Sequence, residues 1–175
     1  MSEVSIARCR GLWRRTLLVC ADGARDTGTD VVWLQGLTRY VDSRGFAGTL
    51  TQNGDVFSWH RDVDVEPGEL PDEGRMRWEA DTLVETGVHE TYEEHWVREC
   101  GATEPAGALL LSTGSGAPAV LVRVGGLVGW ATAAGARIEH VQHGDWQVHD
   151  DIHGAHVIAD GQRWRVVTRE GDVES

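Results

Sequence analysis

Apolar and polar residues alternate over short segments along most of the chain, and turns rich in glycine and aspartate separate these segments. A side-chain period of two is typical of a strand with one buried face, and no stretch of a dozen residues keeps the helical period. Helix is expected only in short pieces, at the N-terminus or around 103–108. The pattern predicts strands over residues 12–20, 30–35, 39–44, 46–52, 55–65, 75–80, 82–85, 89–99, 108–112, 119–124, 127–133, 136–142, 145–149, 155–159 and 162–167.

Short segments with regularly spaced turns are typical of an antiparallel all-β domain. We expect about ten to twelve strands in up-and-down order, because closure into a barrel removes the exposed edges of such a sheet. The pair Asn53-Gly54 is the strongest local signal for a hairpin between two of these strands. A length of 175 residues fits one barrel domain over 1–175, with an internal boundary near 101–107.

Composition narrows the range of partners. The net charge of −12 argues against nucleic acid or an anionic membrane surface as the main partner. Cys9, Cys20 and Cys100 are widely spaced and form no CxxC pair, which predicts reduced thiols in a cytoplasmic protein. The segment MSEVSIARCRG lacks a basic region followed by an apolar run, so no secretion signal is predicted in it. No apolar run is long enough to predict a membrane span, and no cofactor-binding fingerprint is present. We therefore expect a cytoplasmic protein without a cofactor, for which a homodimer is one possible assembly.

Tryptophans repeatedly share a strand face with charged residues, in a chain that has eight tryptophans. The sets that alternation places on one face are Trp13 with Arg15, Trp59 with Arg61, and Trp96 with Glu94 and Arg98. Repetition of this pattern indicates a partly polar interior, in which arginines pair with carboxylates beside indole rings. Structural ion pairs with stacked arginines are an alternative explanation of the same faces.

The strand predicted over 55–65 presents two different faces. Trp59 belongs to the apolar set, whereas His60, Asp62 and Asp64 lie on the other face. One interpretation is an ordinary solvated face. The other is a polar face that lines a barrel lumen, where His60 is a candidate general base oriented by Asp62 or Asp64.

Histidines are concentrated in the second half of the chain and open a different possibility. Imidazole is the commonest metal ligand, so a haem- or metal-binding barrel is one alternative. The spacing matches no HExxH or Cys/His template, and no metal site is predicted. The residues concerned are His140, His143, His149, His153 and His156.

The segment GLWRR at 11–15 resembles the Gly-x-Trp signature that opens lipocalins. In that family the tryptophan packs across one end of the barrel, and an arginine from a late strand covers its ring. The resemblance implies that Trp13 is this tryptophan and that Arg163 or Arg165 is the covering arginine.

A second resemblance covers residues 11–98 and rests on the order of LWRR, VVWLQ, YVDSR, FAGTLT, SWHRDVDVEP, DEGRMRW and VHETYEEHW. Together these segments look like a calycin-like β-barrel family of bacteria and fungi, whose fungal members are the casein-kinase-interacting, Hri-type proteins. The resemblance implies a lipocalin-like barrel and assigns no reaction. The positions that the resemblance marks for testing are Arg14, Arg15, Gln35, Asp42, Arg44, His60, Arg61, Glu85, His89, Glu94 and Trp96.

The leading hypothesis is a non-enzymatic barrel that holds a small polar or anionic ligand in its lumen. Arginines would supply charge-assisted hydrogen bonds and indoles would supply flat apolar walls. Strand parity prevents all of the candidates from pointing inward unless bulges interrupt the strands. The candidate ligand-binding residues are Trp13, Arg15, Trp33, Gln35, Asp42, Arg44, Trp59, Arg61, Glu85, His89, Tyr92, Glu94 and Trp96.

Three alternatives stay open beside the leading hypothesis. The first is a barrel hydrolase, isomerase or lyase with His60 as general base and Arg44 or Arg61 at a developing oxyanion. The second is the haem- or metal-binding barrel, and the third is a protein–protein adaptor with a solid barrel.

Overall fold

The structure is a computed structural model that describes residues 3–174. Sixteen strands and one short helix occur in this part of the chain. The elements are α1 (Ile6–Cys9), β1 (Gly11–Val19), β2 (Arg25–Asp26), β3 (Val32–Gln35), β4 (Arg39–Asp42), β5 (Phe46–Asn53), β6 (Val56–Asp64), β7 (Glu73–Glu79), β8 (Thr82–Gly87), β9 (Glu93–Arg98), β10 (Ala106–Ser112), β11 (Pro118–Val124), β12 (Leu127–Thr132), β13 (Gly135–His140), β14 (Val148–Asp151), β15 (Gly154–Ala159) and β16 (Gln162–Gly171).

Each of the predicted segments overlaps a strand, as expected from their period of two. The short β2 was not predicted, because two residues carry no measurable alternation. Helix occurs at the N-terminus, whereas the expected alternative around 103–108 is wrong because β10 begins at Ala106. The hairpin between β5 and β6 turns at Gly54 and Asp55, one residue later than predicted. No helix in the described part of the chain has the length and apolar character needed to cross a bilayer.

The first half of the chain forms a closed antiparallel barrel of eight strands. Its order is β1-β3-β4-β5-β6-β7-β8-β9, and β9 pairs with β1 to complete the ring. The short β2 adds to the far end of β1 outside this ring. The predicted all-β antiparallel barrel is therefore confirmed. It contains fewer strands than the predicted ten to twelve, because closure is already complete at β9.

The second half forms a separate antiparallel sheet in the order β13-β12-β11-β10-β16-β15-β14. One face of this sheet packs on the outer wall of the barrel through an apolar cluster that includes Leu34, Val41 and Val122. The two sheets approach closely, since a Cβ at Gly129 would lie 2.8 Å from the Cβ of Val41. The opposite face packs around a second apolar cluster of its own.

One end of the barrel is closed by α1 and by a stacked arginine. The Nε1 of Trp13 donates a hydrogen bond to the Cys9 carbonyl at 2.7 Å. The Arg98 guanidinium lies 4.7 Å from the centroid of the Trp13 ring and donates to backbone carbonyls at the end of α1. The prediction that Arg163 or Arg165 covers this ring is wrong, because both belong to β16 of the second sheet. The covering arginine comes instead from β9, the last strand of the barrel.

A β-bulge in β6 changes which side chains face the lumen. Consecutive residues of β5 pair with Arg61 and Val63, so Asp62 is the extra residue. Val63 packs in the cluster between the sheets, and Asp62 binds Arg39 at 2.8 Å on the outside. Asp64 returns to the inner side and binds Arg61 at 2.8 Å. The alternation deduced from sequence therefore holds only up to residue 61.

A second bulge lies in β1, where consecutive residues of β9 pair with Arg15 and Leu17. Thr16 is the extra residue. Beyond it Leu18 lines the lumen, opposite Glu94 in the register with β9. These two bulges bring residues of both parities to one cavity.

Candidate functional site

The barrel contains a cavity of about 290 Å³ at the end away from α1. Indole rings form its floor, and charged side chains surround its mouth. The lining residues are Arg15, Leu18, Trp33, Asp42, Arg44, Phe46, Trp59, Arg61, Asp72, Glu85, Glu90, Tyr92, Glu94 and Trp96.

The floor is a cluster of tryptophans centred on Trp33. Its ring centroid lies 5.8 Å from that of Trp13 in a stacked arrangement, and 6.0 Å and 5.8 Å from those of Trp59 and Trp96, which meet it edge-on. The Trp33 Nε1 donates to the Gln35 Oε1 at 3.1 Å. Aromatic rings in these geometries attract one another beyond the effect of area burial. The floor is therefore a closely packed aromatic surface.

A buried ionic network forms one wall of the mouth. Arg15 of β1 donates to Glu94 of β9, and both side chains are almost fully buried. Arg44 binds the same carboxylate at 3.3 Å and both oxygens of Asp42 at 2.8 and 3.0 Å. Burial lowers the pKa of the Arg44 guanidinium, but the hydrogen bonds and charges of Asp42 and Glu94 outweigh it and raise the pKa. These carboxylates therefore hold the Arg44 guanidinium in its charged form.

A second ionic group joins the mouth to the segment between β6 and β7. Arg61 binds Asp64 at 2.8 Å and Asp72 at 2.5 Å. Its guanidinium stacks on Phe46, 3.8 Å from the ring centroid. Since β6 pairs with β7 over its first three residues only, a groove of about 540 Å³ opens beside this segment and shares Trp59, Arg61 and Asp72 with the cavity. The groove and the cavity are thus neighbours that share part of their lining.

Glu85 differs from the other buried carboxylates of the site. It is 4% exposed and accepts a hydrogen bond from the Tyr92 hydroxyl at 2.7 Å. Within residues 3–174 no arginine or histidine lies within ion-pair distance of it. Burial, and then the charge of Glu94, raises the pKa of Glu85 to about 8. A Cβ at Gly74 would lie 2.6 Å from the Glu85 Oε1, so the glycine makes room for this carboxyl group.

Ten of the thirteen residues predicted to bind ligand line the cavity. They are Arg15, Trp33, Asp42, Arg44, Trp59, Arg61, Glu85, Tyr92, Glu94 and Trp96. Trp13 lies below the floor, and Gln35 is buried behind Trp33. His89 lies outside the cavity, where its Nε2 contacts the Glu73 carboxylate at 2.7 Å. The strand predicted over 89–99 begins only at Glu93, because residues 88–92 form a loop. Alternation along that strand therefore did not apply to His89.

The structure does not bring His60, Asp62 and Asp64 together. His60 is exposed on the outer face and its Nε2 lies 2.9 Å from the Thr51 hydroxyl. Asp62 is also outside, whereas the bulge turns Asp64 inward to Arg61. The prediction that these three groups converge in the lumen is therefore wrong. The cause is the alternation of β6. Trp59 packs in the core of the barrel, so the alternate position of His60 faces outward.

Four lining residues were not predicted: Leu18, Phe46, Asp72 and Glu90. Leu18 reaches the cavity only because of the bulge in β1, and Asp72 and Glu90 lie in loops, where alternation has no meaning. Phe46 had a usable signal, since it begins a strand whose alternate positions are apolar.

The histidines of the second half stay apart from the cavity. His149 and His156 stack across β14 and β15 with ring centroids 5.3 Å apart, and the His156 Nδ1 lies 3.6 Å from Asp151. Residues 3–174 contain no group of three or more His, Cys, Asp or Glu side chains arranged to hold a metal ion.

No protein-family model and no curated protein sequence matches the chain. Among solved structures, the chain is similar to the crystal structure of uncharacterized protein YLR301w from Saccharomyces cerevisiae, with a TM-score of 0.57 and 12% sequence identity. The match covers 91% of this chain and 98% of that chain. Because the match covers 91% of this chain, it extends over both sheets. At 12% identity the likeness concerns the fold alone and assigns no ligand. Membership of the calycin-like family stays a prediction.

Proposed function

We propose that the barrel binds a small polar molecule in the cavity between the tryptophan floor and the charged mouth. The observation that carries the proposal is the burial of Arg15, Asp42, Glu85 and Glu94 around a space that side chains do not fill. Burying charged groups is costly, and well-packed apolar residues often stabilise a protein as much or more. A fold that needed only stability would have no use for this arrangement.

The size and chemistry of the cavity support a small ligand with an apolar body. Binding pockets combine apolar and aromatic walls with a few polar groups that fix orientation. Here Trp33, Trp59 and Trp96 supply the walls, and the ionic groups of the mouth supply the polar contacts. The anionic class expected from the arginines has less support than the polar class, because each arginine of the lining already binds a carboxylate.

The test is a comparison of the natural chain with a variant whose cavity is filled. Leu18→Trp places a large ring at the mouth, and Val167→Trp adds the same ring on an exposed site of the second sheet. A set of small aromatic amines, alcohols and carboxylates is added to each protein, and complexes are detected by native mass spectrometry and tryptophan fluorescence. We expect at least one complex with the natural chain and with Val167→Trp, and a loss of at least tenfold in affinity with Leu18→Trp.

Equal binding by the Leu18→Trp variant would place the ligand outside the barrel and overturn the proposal. Absence of any complex across the whole set would do the same for ligands of this size. Thermal unfolding of both variants shows whether each has kept the fold.

A further inference from the structure

The charges around the cavity do not balance. Three guanidinium groups line it, from Arg15, Arg44 and Arg61, against five carboxyl groups. Each guanidinium has a carboxylate partner: Arg15 binds Glu94, Arg44 binds Asp42, and Arg61 binds Asp72. Every guanidinium group of the lining is thus paired with a carboxylate, whereas two of the five carboxyl groups of the lining have no guanidinium partner.

Glu85 is the buried member of this excess. It lies opposite Glu94 in the register of β8 with β9. The groups that face it are Glu94 from β9, Tyr92 from the segment before β9, Asp72 from the segment before β7, and Arg44 after β4. Only Arg44 among them is positive, and its hydrogen bonds go to Asp42 and Glu94. The carboxyl group of Glu85 is therefore held against the cavity without a cation of its own.

We propose that the ligand of this cavity carries a positively charged ammonium group that binds Glu85, with its apolar part against the tryptophans. The inference rests on the function proposed above and names the class of ligand. An anionic group would find no free guanidinium, because each arginine of the lining already binds a carboxylate. A cation finds an unpaired carboxyl group and the electron-rich faces of indole rings, both of which attract it.

Binding also moves a proton. Burial keeps Glu85 protonated near neutral pH in the free protein, since its pKa is about 8. When the ammonium group enters, the carboxyl O–H bond breaks, the proton leaves to solvent, and the carboxylate pairs with the ammonium. The ligand keeps its own proton, and the net change is one proton released for each ligand bound. Affinity therefore rises with pH, by up to about tenfold per unit below pH 8, and levels off above it.

The experiment uses three probes of nearly equal size: phenethylamine, phenethyl alcohol and phenylacetate. Isothermal titration calorimetry of the natural chain gives the affinity of each probe. Repeating the amine titration in buffers of different ionisation enthalpy gives the number of protons released. We expect the amine to bind at least tenfold more tightly than the alcohol, phenylacetate to bind most weakly, and close to one proton to be released with the amine alone.

Glu85→Gln tests the role of the carboxyl group with little change of shape. We expect the amine to lose at least tenfold in affinity, its proton release to vanish and the alcohol to bind as before. The matched control is Glu79→Gln, which removes a half-exposed carboxylate from the neighbouring strand β7 and leaves all three affinities unchanged. The proton release of the natural chain requires no variant, so the proposal can fail even where Glu85→Gln does not fold.

The outcomes separate this inference from the proposed function. Tighter binding of phenylacetate than of the amine, or amine binding that Glu85→Gln leaves unchanged, would overturn the cationic class and leave a binding cavity in place. Binding of none of the three probes would overturn the cationic class for ligands of this size. The cavity itself is then judged by the Leu18→Trp comparison over the wider set.

Discussion

The two sheets of this protein both curve around tryptophans, but their interiors differ. In the second sheet, Trp130 of β12 and Trp164 of β16 lie 5.5 Å apart although three strand spacings, about 14 Å in a flat sheet, separate them. Trp146 and Val157 belong to the same apolar cluster, and the charged side chains beside it, such as those of Arg137 and Asp160, are half exposed. The barrel has a tryptophan floor too, but charged side chains and an open cavity lie above it. Aromatic content is therefore shared, and buried charge around free space distinguishes the candidate site.

A second difference concerns the outer surfaces. The barrel rests on the second sheet through an apolar layer, which includes Leu34 and Val41 on one side and Val120 and Val122 on the other. The second sheet thus has an apolar cluster on each face, and the barrel has charge on the inside of its wall. This arrangement indicates that the second sheet supports the barrel wall, whereas the barrel carries the site.

The largest effect is expected where the two sheets meet. Val122→Asp places a charge in a layer where the native side chain is fully buried. An unpaired buried charge destabilises a protein severely, and we expect a loss of more than about 4 kcal/mol. Urea unfolding followed by tryptophan fluorescence and circular dichroism measures this loss.

The number of unfolding transitions of the Val122→Asp variant shows whether the sheets depend on one another. If they support one another, both lose structure in one transition. Survival of the barrel with its cavity intact would show that the second sheet is dispensable. Val167→Asp, on an exposed site of β16, is the control and is expected to change stability little.

The next effect separates buried from exposed ion pairs. Arg15→Met leaves Glu94 buried without its main partner, and we expect a loss of about 3 kcal/mol. Replacing both residues by methionine is expected to recover most of that loss, because no uncompensated charge then remains. In the second sheet, Arg137 binds Asp160 at 2.9 Å with both side chains half exposed, and Arg137→Met is expected to cost less than about 1 kcal/mol.

Denaturant unfolding of the three variants and of the natural chain gives these differences on one scale. Similar losses for Arg15→Met and Arg137→Met would show that water reaches the barrel network as freely as the surface pair. The contrast between the two interiors would then have no energetic basis.

Sequence alternation predicted the strands and most of the cavity lining, because both depend on the period of two within each strand. It failed at Asp64, which was grouped with His60 but faces Arg61 across a bulge. A bulge adds one residue without changing the composition of the strand, so local pattern does not reveal it. It also failed for the arginine over Trp13, since Arg98 and Arg163 fit the same description and only long-range pairing distinguishes them.

The predicted number of barrel strands was too high for a similar reason. Closure depends on the pairing of β9 with β1, across almost the whole first half of the chain. Strands of the second half have the same alternation and turn residues as those of the first. Which strands share a sheet is thus decided by register and by the apolar layer between the sheets, neither of which a local pattern contains.

A further effect concerns pH and is expected in the barrel. The folded state raises the pKa of Glu85 from its ordinary value of 4.5 to about 8, so it binds this proton more tightly than the unfolded chain. Its contribution to stability is complete below about pH 4.5 and is lost as the pH rises through about 8, by at most about 1.4 kcal/mol per unit. Urea unfolding at a series of pH values measures this slope. Glu85→Gln is expected to remove this part of it.

Glu139→Gln in the second sheet is the matched control, because Glu139 is half exposed beside Arg137. We expect its stability to follow that of the natural chain across the same range. A slope in the Glu85→Gln variant equal to that of the natural chain would show that Glu85 is ionised in the free barrel, and the buried carboxyl would then be an ordinary charged group.

The smallest effect is expected on the outer face of the barrel. His60 is exposed and contacts the Thr51 hydroxyl at 2.9 Å, so His60→Ala is expected to change stability by no more than about 0.5 kcal/mol. Binding of phenethylamine is expected to be unchanged, because the side chain points away from the lumen. His153→Ala, at an exposed turn of the second sheet, is the control for loss of an imidazole. A loss of binding with His60→Ala alone would extend the site to the outer face of β6, through the lateral groove that His60 also lines, and the interior of the barrel would no longer account for function by itself.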